Sequence, residues 1–73
     1  MIEMTPEMIA AHYRAMLDSA ALIQDAIQNP AKYAHDPDVV ERNAEHLQFK
    51  IAEPYWTDED MTPVHDALQL LDQ

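Results

Sequence analysis

Neither glycine nor cysteine occurs anywhere in this chain. The missing glycine removes the residue that adopts positive φ at little cost and lets backbone approach a phosphate. Phosphate-cradling loops and dinucleotide-binding fingerprints are therefore excluded. The missing cysteine excludes disulfides, thiolate metal sites and thiol redox chemistry, and it fits a reducing compartment. Serine is almost absent too, with Ser19 the single example, and basic residues number only four.

Fourteen acidic residues against those four bases give a formal charge of −10 and a pI near 4.4. Nucleic-acid affinity rests on Lys and Arg at phosphates, so duplex DNA or RNA is repelled. Anionic membranes are disfavoured on the same ground. No segment approaches the ~20 apolar residues needed to span a bilayer. The opening Met1-Ile2-Glu3-Met4 carries an acid where a secretory signal carries a base. Together these features predict a soluble cytoplasmic protein. An apolar content of 48% is too high for a disordered acidic tail, so the chain is expected to fold.

Seventy-three residues make one domain, 1–73, with a thin core. A chain of this size buries only roughly 60% of the surface its unfolded form exposes. Proline punctuates it. Thr5-Pro6 reads as a helix cap followed by a first helical residue with no amide to lose. Ile9, Tyr13, Met16, Ala20, Ile23 and Ile27 then recur at alternating spacings of about four and three, the period of one apolar helix face. Asn29-Pro30 ends this first helix, predicted over 6–28. Residues 30–36 read as a linker. Asp36-Pro37-Asp38 opens a second helix over about 37–53, with Val40, Ala44, Leu47 and Ile51 as its inner stripe and Pro54 as its stop.

The third start lies at Trp56-Thr57-Asp58-Glu59-Asp60-Met61, with Thr57 as cap, Asp60 at the capping-box position and a Trp56–Met61 staple. Pro63 interrupts it, which predicts a turn at 57–61 and a main helix over about 62–71. Val64, Ala67, Leu68 and Leu71 supply its inner face. The expected fold is all-α, a small three-helix bundle with antiparallel packing, or a helical hairpin completed by a second copy.

No residue set in this pattern points to catalysis. Nucleophilic catalysis needs a hydroxyl, thiol or amine beside a base. Ser19 falls in mid-helix, where back-bonding to a carbonyl or plain exposure is expected. Thr5, Thr57 and Thr62 all sit at helix starts. Asp58, Glu59 and Asp60 lack the spacing and the central glycine of a calcium loop, and their charge suits a helix N-terminus. His12, His35, His46 and His65 do not form the i,i+4 pair of a helical zinc motif. Glu41 and His46 diverge by roughly 140° on a helical wheel. No metal, no cofactor and no catalytic residue is expected. His12, at the edge of the first helix's apolar sector, is expected to be semi-buried.

The second helix carries the least expected feature. Phe49, the one phenylalanine, points about 180° from the inner stripe. Arg42, His46 and Lys50 run beside it as a basic stripe. Tyr55 and Trp56 follow, and can either fold back to cover Phe49 or extend the patch. Aromatic and Arg side chains are enriched at binding hot spots. Arg42, His46, Phe49, Lys50, Tyr55 and Trp56 are therefore the candidate partner-binding residues.

The stretch Val40-Glu41-Arg42-Asn43-Ala44-Glu45-His46-Leu47, with Tyr55-Trp56-Thr57-Asp58-Glu59-Asp60-Met61-Thr62-Pro63 after it, resembles small proteins of tailed phages and prophages. In these an ERN-x-x-HL helix precedes a WT-x-ED turn. The resemblance spans roughly residues 40–67. It implies a helical fold and a phage or prophage origin, and it brings no catalytic residues.

The expected function is that of a protein-interaction module, a phage accessory, assembly or host-modulating factor. Its partner is another protein, from host or phage, or a second copy of itself. The alternative is an acidic mimic that occupies the nucleic-acid site of a host protein.

Overall fold

A computed structural model describes residues 4–72; Met1–Glu3, read above for targeting, and Gln73 lie outside the described residues. Three α-helices and one short 3-10 turn make up its regular structure: α1 Pro6–Gln28, the 3-10 turn Pro30–Tyr33, α2 Val39–Ile51 and α3 Thr62–Leu70. No strand occurs among the described residues. The protein is all-α, a small helical bundle.

Helix α1 starts where its cap is encoded. Thr5 sits in extended backbone and its Oγ1 accepts the Met8 amide at 3.2 Å, while Pro6 fills the first turn. At 23 residues α1 is far longer than α2 with 13 or α3 with nine. Both shorter helices pack chiefly on α1 and touch each other little. Helix α2 returns along α1, since His46 meets Ser19 and the chain beyond α2 reaches Tyr13. The core holds Met16, Ala20 and Ile23 of α1, Ala44 and Leu47 of α2, Trp56, and Val64 and Ala67 of α3. Ile27, expected on the inner stripe, is 41% exposed. Two short partners cannot cover the whole of a longer helix, and the last turn of α1 buries Ala26 instead.

Helix α2 is shorter at both ends than the predicted 37–53. Its start is delayed because Pro37 occupies a turn closed by the Val39 amide donating to the Asp36 carbonyl at 3.2 Å. Asp38 then precedes the first helical residue without a side-chain cap bond. Its end is set by Pro54, which has no N–H to offer the Lys50 carbonyl four residues back. The Trp56 indole Nε1–H donates to that carbonyl at 2.7 Å, and the Glu53 amide donates to it at 3.0 Å. A broken helical hydrogen bond is replaced by one that seats the only tryptophan.

Helix α3 starts at Thr62, as expected from Pro63, but its capping differs from the reading at Thr57. Asp60, not Thr57, supplies the side-chain acceptor, taking the Thr62 amide at 3.0 Å. Met61, not Thr57, holds the cap position. Pro63 falls in the first turn, where its missing N–H costs nothing, so the cap lies just before Thr62 and not at Thr57. Trp56 and Met61 therefore do not staple the first turn of α3; both pack into the common core.

Candidate interaction surface

The site begins with the rotation of α2 about its own axis. Val39, Ala44 and Leu47 are buried, which points the opposite side of the helix to solvent. Phe49 lies on that side and is 74% exposed. Among the described residues the other exposed large apolar side chains, Met8, Leu22 and Ile27, are at most 41% exposed. Neither Tyr55 nor Trp56 covers Phe49. Tyr55 stands edge-on to Trp56, with ring centres 6.0 Å apart and planes at 81°, and Trp56 is 7% exposed in the core.

The basic stripe expected beside Phe49 is dispersed by internal partners. Arg42 makes a two-pronged pair with Asp36, Nη1 to Oδ1 at 2.9 Å and Nη2 to Oδ2 at 2.6 Å. That hydrogen bonding holds the Asp36 carboxyl below its usual range and raises Arg42. His46 leans onto α1, its Nδ1 2.9 Å from Ser19 Oγ. Lys50 pairs with Glu53 at 3.4 Å and is only 19% exposed. Glu41 and Glu45, by contrast, are exposed on the outward side of α2 and form no ion pair among the described residues. The surroundings of Phe49 are acidic rather than basic.

No protein-family model, curated protein or solved structure matches this chain.

Of the six candidate binding residues, then, the structure leaves Phe49 widely exposed and Arg42 exposed but paired. His46, Lys50 and Tyr55 are partly buried, and Trp56 is in the core. Ser19 is a correction. It is buried at 6% exposure and bonded to a ring nitrogen, not exposed or bonded only to its own helix. Ser19 lies between Met16 and Ile23 on the buried side of α1, and a polar group there requires a partner. Ser19 is in mid-helix, where neighbouring amides are engaged in the helical ladder.

One cluster escaped the sequence reading altogether. The Asp25 carboxylate accepts from Asn29 Nδ2 at 2.8 Å, Lys32 Nζ at 2.8 Å and Tyr33 OH at 2.6 Å. These bonds, led by that from Lys32, lower its pKa to about 2. The cluster fastens the 3-10 turn to the end of α1. The i,i+4 spacing of Asp25 and Asn29 was its one local sign. Among the described residues no three His, Asp or Glu side chains converge as metal ligands. No described helix is long and apolar enough to cross a membrane.

Proposed function

We propose that this protein is a small acidic protein-interaction module whose contact element is the outward face of α2, centred on Phe49. The observation that carries the reading is the 74% exposure of Phe49 on a helix whose opposite side is anchored in the core. Leaving a ring in water forgoes about 1.5–3 kcal/mol of burial, a large amount for a domain of this size. Aromatic side chains held rigidly on a helix are effective binding anchors, because little conformational freedom is lost when they dock.

The resemblance of residues 40–67 to small phage and prophage proteins supports an accessory, assembly or host-modulating role in the host cytoplasm. A host or phage protein is then the partner. Pull-down from bacterial host lysate with the wild-type chain and with Phe49→Ser tests the reading. Retention of one defined partner by the wild type alone is expected. Equal retention by a folded Phe49→Ser chain overturns it.

Mimicry of nucleic acid is the second reading, favoured by the internal pairing of Lys32, Arg42 and Lys50, which leaves the outer surface strongly acidic. A mimic's binding falls steeply with salt and ignores Phe49. The module's binding depends on Phe49.

A further inference from the structure

We infer that the occupant of the Phe49 face is a basic protein surface, one that offers an apolar pocket for the ring and Lys or Arg side chains around it. The inference rests on the reading of α2 as the contact element and adds the chemistry of the partner.

Charge decides between the occupants. Glu45, one turn before Phe49 and about 40° from it, is exposed, as is Glu41 at about 80°. Arg42, two turns before and about 20° from it, is the one base on this row and is paired with Asp36. The bases that share α2 are drawn away: Arg42 to Asp36, Lys50 to Glu53. Lys32 is held by Asp25. Arg14, the remaining base, forms no ion pair among the described residues and belongs to α1. A second copy docking through this face would set Glu41 and Glu45 against their own equivalents, with no uncompensated cation on α2 to separate them. A basic partner meets the same carboxylates favourably. Its cations also suit the ring itself, whose face attracts Lys and Arg.

The test is an amide-resonance titration of the full chain with three synthetic helical peptides: lysine–leucine, lysine–serine and glutamate–leucine. Shifts confined to residues 41–53 are expected with the lysine–leucine peptide. Its affinity should exceed that of either other peptide by at least about tenfold, and Phe49→Ser should lose a similar factor. Equal binding of the lysine–serine peptide, with shifts spread over all three helices, overturns the inference by reducing the effect to general attraction. Binding of the glutamate–leucine peptide at Phe49 overturns the basic-partner inference while leaving α2 as the contact element. Shifts that avoid 41–53 with every peptide overturn both. Sedimentation of the unliganded chain at neutral pH should give a monomer. A dimer abolished by Phe49→Ser would make the second copy the occupant and overturn the inference.

Discussion

Ser19 Oγ and His46 Nδ1 meet at 2.9 Å across the contact between α1 and α2. A hydrogen bond between a buried serine and a partly buried histidine on facing helices favours one rotation of the helices against each other. Here it holds the His46 edge of α2 inward, which keeps Phe49, about 60° further round, in solvent. The exposure of Phe49 thus rests in part on a polar tie set away from the ring itself.

Ser19→Ala removes that tie and leaves the imidazole nitrogen without its partner. The expected loss is about 1 kcal/mol, since the ring is only partly buried and water can compensate in part. Urea unfolding should show a lower midpoint with an unchanged slope. An unchanged midpoint would mean that apolar packing alone sets the rotation.

Trp56 combines a large buried surface with the bond to the Lys50 carbonyl. Trp56→Ala should therefore destabilise by ~3–5 kcal/mol, enough to unfold much of so small a domain. Trp56→Phe retains most of the apolar contact and removes the indole donor. Because the Glu53 amide still reaches the Lys50 carbonyl, a loss of only about 1–2 kcal/mol is expected. Circular dichroism melts of the two variants provide the comparison, and the wild-type emission maximum should lie to the blue of a hydrated indole.

The Asp25 cluster predicts an acid limb in the stability curve. Folding lowers this carboxyl from an ordinary value near 3.8 to about 2. Its contribution is thus present above pH 3.8 and is lost as the pH falls towards 2. Asp36 and Asp60 are lowered as well, through Arg42 and Thr62 respectively, and act in the same direction. Melting temperatures measured across this window should fall with acidification. Asp25→Asn should start lower at neutral pH and show a shallower fall. A parallel curve for Asp25→Asn would assign the acid limb to other carboxylates.

Phe49→Ser should leave stability within about 0.5 kcal/mol of wild type, the usual range for an exposed site. Leu47→Ala, two residues away but fully buried, should cost about 2–5 kcal/mol, the ordinary range for core truncation. Denaturant titration of both variants checks the contrast. A collapse of Phe49→Ser to the Leu47→Ala level would place the ring in the folding core and remove it as a docking element.

What the sequence determined by itself is everything written within a turn or two of chain. Thr5-Pro6 caps α1 because hydroxyl and amide are three residues apart. The apolar period places Met16, Ala20, Ile23, Leu47, Val64 and Ala67 inside, and Pro54 stops α2 because it lacks an N–H. The outward direction of Phe49 follows from the same helical arithmetic. Tertiary structure alone decided the partners of the polar side chains: Arg42 with Asp36, His46 with Ser19, the Trp56 indole with the Lys50 carbonyl. Periodicity tells which way a side chain points from its own helix axis. Which of fourteen acids a given cation meets, and hence the sign of the field around Phe49, depends on distances across helices and connections that no local pattern encodes.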